Sequence, residues 1–124
     1  MIFVDRSVPR RVAEALNTVR GDVDRLEPRY RHDTPDHVWL ADAGRSDWLV
    51  VTRDRHVRTR PLERQAIEEN GVGCFILAYR RTLDPWGILK LLANTLDEME
   101  RRFATTERPL IFTVSGGGRF RQYR

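Results

Sequence analysis

A chain of 124 residues with 40% hydrophobic side chains can build one compact core but not two, so a single domain is expected. No apolar run reaches the roughly eighteen residues of a membrane span, and a charge falls at Asp5, against a secretory signal; the expectation is a cytoplasmic protein. The net charge of +4 rests on 22 basic side chains, all arginine except Lys90. Guanidinium forks match phosphate oxygens and make nucleic acid a plausible partner, although a GC-rich genome produces the same arginine bias.

Ile2-Phe3-Val4 reads as a strand ending at Asp5. A helix follows over 9–20, opened by Pro9, carried by Val12, Leu16 and Val19 on one face, and stopped by Gly21. A second strand is expected over 22–27 and a polar loop over 28–33. Thr34-Pro35-Asp36 then opens a helix, with the Thr34 hydroxyl as its expected cap and the Asp36 carboxylate suited to the helix dipole.

A third strand over 48–53 is bounded by Asp54, and a helix over 61–70 ends at Gly71. The apolar run 73–78 lacks polar alternation, as in a strand buried on both faces of a parallel sheet. The lone cysteine, Cys74, lies in that run and reads as a core residue. Asp84-Pro85 launches the longest helix, with Ile88, Leu92, Leu96, Met99 and Phe103 as its buried stripe. A last strand over 110–114 precedes Gly116-Gly117-Gly118, Arg119, Arg121 and Arg124, read as a flexible basic tail over 116–124 that follows a domain over 1–115. Strand and helix alternating in this way give an α/β fold, a parallel sheet with helices on both faces.

In such sheets ligands bind beyond the carboxyl ends of the strands. Asp5 and Asp54 each end an apolar run there, and Asp36 in a first helical turn can join them. Three carboxylates held together repel one another unless a cation intervenes, which suits Mg²⁺ or Mn²⁺ and phosphodiester hydrolysis. Each acid taken alone also has an ordinary reading, as a helix starter for Asp36 and as turn residues for Asp5 and Asp54. Asp33 and Asp42 are weaker candidates. The three histidines fit no zinc spacing, and Trp39, Trp48 and Trp86 beside apolar runs read as core.

Phe3-Val4-Asp5-Arg6-Ser7-Val8-Pro9, Thr34-Pro35-Asp36 and Val50-Val51-Thr52-Arg53-Asp54-Arg55 together resemble the PIN-like ribonucleases, especially VapC-type toxins of toxin-antitoxin pairs. The resemblance spans Ile2 to about Val114. It implies a three-layer sandwich with a central five-stranded parallel sheet. It also implies an acidic Mg²⁺ or Mn²⁺ site at Asp5, Asp36 and Asp54, with Thr52 supporting the third acid, an RNA substrate, a cognate antitoxin and a homodimer. Many relatives carry a fourth acid soon after the third; here Arg55, His56, Val57 and Arg58 follow, which leaves a second metal in doubt. Arg6, Arg53, Arg55, Arg58 and Arg60 are the expected contacts to RNA phosphates, against the plainer reading of a solvated basic face. The rivals are a catalytically inactive PIN-like module and a phosphoacceptor receiver domain. The receiver is opposed because Arg6 follows Asp5 and no lysine follows the last expected strand.

Overall fold

A computed structural model describes residues 1–79 and 83–123. Their strands are Ile2–Val4 (β1), Val23–Arg25 (β2), Leu49–Thr52 (β3), Gly73–Ala78 (β4), Leu110–Ser115 (β5) and Phe120–Tyr123 (β6). The helices are Arg10–Arg20 (α1), Leu26–Arg29 (α2), Asp36–Arg45 (α3), Pro61–Asn70 (α4) and Pro85–Thr105 (α5), with a 3-10 turn at Arg55–Arg58. Sheet order is β2-β1-β3-β4-β5-β6, parallel from β2 to β5 and antiparallel at β6.

The central strands bury both faces, and the two-residue period of a strand sorts their side chains. Ile2, Val4, Leu49, Val51, Phe75 and Leu77 join the core under α1 and α5. Phe3, Val50, Cys74 and Ile76 join the core under α3 and α4. Each such side chain contributes about 1.5–3 kcal/mol on burial, far more than strand propensity can offer, so these apolar runs fix the sheet. The chain leaves β1 to one side for β2 and returns on the other side for β3. The carboxyl ends of β1 and β3 therefore flank the point where strand order reverses.

Several expectations change. The sheet has six strands rather than five, because the residues expected to form a flexible tail fold back beside β5. Ser115 N–H donates to Arg119 O at 2.9 Å and Gly118 N–H to Ser115 O at 2.9 Å. Gly118 turns the chain at φ 79°, a left-handed conformation that suits glycine. Arg124, also assigned to that tail, lies outside the described residues. The strand expected over 22–27 stops at Arg25 and turns into α2. Thr34 does not cap α3, whose N-cap is Pro35 and has no side-chain cap bond. Asp84 does cap α5, accepting from Gly87 N–H at 2.8 Å. Trp39 is fully buried, Trp48 half-buried, and Trp86 exposed at 63%, which overturns the core reading for that residue.

One contact sets the spacing of the helices that carry the site. A Cβ added at Gly44 in α3 would lie 2.3 Å from the Asn70 carbonyl oxygen at the end of α4. Backbone cannot yield there as a side-chain tip can. Gly44→Ala is expected to force α3 from α4 at a cost of about 1–3 kcal/mol, lowering the melting temperature by several degrees in a thermal melt. An unchanged melt would contradict this packing.

Candidate active site

Asp5 leaves the end of β1 with its backbone N–H still paired to Val51 O at 3.3 Å. Only 5% of the residue is exposed, and its two carboxylate oxygens are held separately. Oδ2 accepts from Thr52 Oγ1 at 2.8 Å; Oδ1 accepts from the Ser7 backbone N–H at 3.1 Å and from the Ser7 hydroxyl. Burial raises the Asp5 carboxyl above its ordinary range, against those hydrogen bonds and with a smaller push from the Asp36 charge. Asp5 and Asp36 thus feel one another across the rim.

Thr52 and Ser7 link β1 to β3. Thr52 Oγ1 accepts from Asp54 N–H at 3.0 Å while donating to Asp5, and Ser7 Oγ accepts from Arg53 N–H at 2.8 Å. A single hydroxyl therefore positions two acids far apart in sequence. Asp54 Oδ1 accepts from His56 N–H at 3.0 Å and starts the 3-10 turn, leaving Oδ2 to Arg60 Nη2 at 2.7 Å. Asp36, at the first residue of α3, has Oδ1 held by the Trp39 indole N–H at 3.0 Å. Its other oxygen is 3.8 Å from Arg60 Nη1.

The three expected acids are brought to one rim, joined in series by Thr52 and Arg60. Asp36 and Asp54 each keep about a quarter of their side chains exposed, at 24% and 23%. They do not form a finished cation cage: among the described residues no three His, Cys, Asp or Glu side chains stand close enough to hold a metal ion. The guanidinium of Arg60 occupies the gap instead. It also meets Glu63 Oε1 at 3.2 Å, and hydrogen bonds to Asp54 and then Glu63 raise its affinity for its proton. The donor set, all carboxylate and hydroxyl oxygen, fits a hard divalent ion in chemistry, and the arginine supplies the positive charge that such a group of acids calls for.

A family model described as "PIN like domain" matches residues 1–79, which span β1 to β4 and all three acids. The chain belongs to the PIN-like domain family. Searches of curated proteins and of solved structures gave no match. Against the PIN-like expectation, the structure adds Ser7, Trp39 and Glu63 to the site and turns Arg60, expected at RNA phosphate, toward the acids. Only tertiary contact reveals all three, Glu63 through its bond from Arg60 Nη1 at 3.2 Å.

The expected RNA-binding arginines of this PIN-like domain separate into different environments. Arg60 faces carboxylates rather than open solvent. Arg58 lies over the Tyr123 ring of β6, its guanidinium carbon 4.1 Å from the ring centre. Arg6 reaches Thr34 O at 3.3 Å and ties the loop after β1 to the approach of α3. Arg53 and Arg55 stay at the rim, free of ion pairs among the described residues. Asp42, set aside as a ligand, holds Tyr30 Oη at 2.6 Å. Cys74 is buried and its thiol pushed upward by that burial, as a core residue should be.

Proposed function

We propose that this PIN-like domain is a divalent-metal-dependent endoribonuclease. The observation that carries the reading is the linkage of Asp5, Asp54 and Asp36, through Thr52 and then Arg60, along the carboxyl rim of the sheet where strand order reverses. These acids would hold Mg²⁺ or Mn²⁺, which when bound supplies Lewis acidity and charge for phosphodiester hydrolysis. Thr52 fixes the Asp5 oxygen and the backbone of Asp54 through one hydroxyl. Trp39 fixes Asp36, and the Ser7 hydroxyl keeps Asp5 oriented without filling the rim. Glu63 adds negative charge beside the same arginine. The finer reading, a VapC-type toxin acting as a homodimer in the cytoplasm and restrained by an antitoxin, rests on the sequence resemblance.

The test is cleavage of a labelled RNA by the purified chain with Mg²⁺ or Mn²⁺, set against EDTA. Cleavage in both conditions, or in neither, would remove the reading. Arg60 yields a separate expectation because it competes for the carboxylates a metal needs. Arg60→Gln is expected to tighten Mn²⁺ binding by about tenfold in a calorimetric titration, which corresponds to about 1.4 kcal/mol. Equal or weaker binding by the variant would show that Arg60 does not stand in the way.

A further inference from the structure

Neither packing nor conformation asks for a glycine at Gly117, in the turn between β5 and β6. A Cβ there would meet only Ser115 Oγ, at 3.9 Å, and the residue stays outside the left-handed conformation that Gly118 adopts at φ 79°. Gly116 is explained by packing, since a Cβ on it would press on Tyr79 Cβ at 3.3 Å. Backbone left bare without a conformational need suits the close approach of another molecule. Among the described residues the N–H groups of Gly116 and Gly117 have no hydrogen-bond acceptor, whereas those of Gly118 and Arg119 bond to the Ser115 carbonyl and hydroxyl. The turn is one wall of a cleft of about 700 Å³, and α5 is the other. Lys90 and Asn94 of α5, both exposed, line it. Of the basic residues of α5, Lys90 alone has no carboxylate within 4.0 Å among the described residues; Arg101 and Arg102 share Glu98. Arg102 also lines the cleft, its guanidinium carbon 4.7 Å from the centre of the Phe120 ring, and it gives Glu98 only its Nε, at 2.8 Å. Every lining residue falls between Leu83 and Phe120, outside the residues 1–79 matched by the PIN-like model.

We propose that this cleft binds a small phosphate monoester with an apolar body, its phosphate on the Gly116 and Gly117 N–H groups and on Lys90. The site goes beyond the nuclease reading and does not depend on it. The cleft falls within the range of volumes that take small ligands. Glu98 is the one acid in its lining and is already answered by Arg101, so Lys90 and Arg102 leave it basic and favour an anion. Successive free N–H groups in a turn form an anion-binding concavity, and an ammonium beside them adds a charge-assisted bond. Lys90 Nζ lies 5.8 Å from the centre of the Trp86 ring, and its flexible stem leaves it free to turn toward an anion. A phosphate monoester brings three acceptor oxygens and nearly two negative charges, more than a carboxylate offers to these donors. Leu83, Leu91 and Phe120 give the rest of the ligand an apolar wall.

The experiment is calorimetric titration of the full chain in EDTA with adenosine monophosphate, set against inorganic phosphate and adenosine alone. The monophosphate, which can use both ends of the cleft, is expected to bind at least about tenfold more tightly than either part. Gly117→Ala is expected to melt within about one degree of the wild type, since the added methyl meets open space, yet to weaken the monophosphate by about tenfold. Lys90→Gln is expected to weaken it by about as much, through the lost charge. Arg121→Gln removes an equal charge from β6 outside the cleft and is expected to bind like the wild type. The site is overturned if the monophosphate binds no better than inorganic phosphate, if Gly117→Ala binds it like the wild type, or if Lys90→Gln loses no more affinity than Arg121→Gln. Lys90 is exposed, so its variant decides the matter even where Gly117→Ala disturbs the turn. Binding is read without metal, and a chain that cuts no RNA would leave the result standing.

Discussion

Asp5→Asn is expected to lower metal-dependent RNA cleavage by at least about three orders of magnitude, equivalent to about 4 kcal/mol of barrier, while the protein stays folded. The loss follows from removing the one acid that lies deepest and is gripped from both oxygens. Retained folding follows from the sign of its proton affinity. The folded carboxyl keeps its proton to higher pH than the unfolded one, whose ordinary value is 3.8. Wild-type stability is therefore fully present below that value, falls as pH climbs through the raised folded value, and then levels off. Asparagine has no such step. Its carbonyl oxygen can keep accepting from the Ser7 N–H while its amide donates to the Thr52 hydroxyl, which then turns its own hydrogen toward Ser7 Oγ, 3.3 Å away. In EDTA, the gap between the two melting temperatures is expected to move in favour of the variant from about pH 4 to about pH 8. A variant that cleaves like the wild type would remove Asp5 from the site.

Trp39 is expected to carry the second-largest effect, and two substitutions divide its roles. The ring is fully buried beside Phe3, with centres 5.3 Å apart. Trp39→Ala is expected to cost about 3–5 kcal/mol and to lower the melting temperature by well over ten degrees, or to leave the chain unfolded. Trp39→Phe keeps most of the buried area but removes the N–H that holds Asp36 Oδ1. Its expected stability loss is smaller, about 1–2 kcal/mol. Its Mn²⁺ affinity is expected to fall by about tenfold in calorimetry, as when a group that orients a metal ligand is lost. Unchanged affinity in a folded Trp39→Phe protein would show that Asp36 needs no such support.

The fold is legible in the sequence where local chemistry and burial agree. Leu49-Val50-Val51 and the run from Gly73 to Leu77 are apolar on both alternating faces, and only a strand between two helical layers can bury them. Gly21 and Gly71 end their helices in the left-handed conformation at φ 80° and 62°, as their positions after the last apolar residue imply. The last strand is hard to see because Phe120-Arg121-Gln122-Tyr123 is short and half polar. Its signal is the spacing of its two aromatics around charged and polar residues, set just after a glycine turn. Trp86 reads as core only while hydrophobicity is weighed without helical phase: Ile88, Leu91 and Leu92 face the core, and the first turn of α5 leaves the indole outside.

The site divides along similar lines. Asp5, Asp36 and Asp54 are legible as acids at element ends, because a parallel sheet collects such ends at one rim. Arg60 reads as a hand for RNA phosphate, since sequence shows a basic run and not what faces it. Its partners Asp36 and Asp54 meet it only once α3 and β3 have folded onto one another. Ser7 gives no signal beyond a hydroxyl near a helix start, and its bond to Arg53 spans 46 residues.

The final antiparallel strand also governs how the molecule behaves in company. Without it, Leu110–Ser115 would present six residues of open backbone hydrogen-bonding groups on a strongly apolar ribbon, ready to pair with the same ribbon of a neighbour. Phe120–Tyr123 closes that ribbon and turns Arg121 and Gln122 outward. A chain shortened to end at Ser115 would then clump at concentrations where the full chain disperses, from a stretch that takes no part in the chemistry.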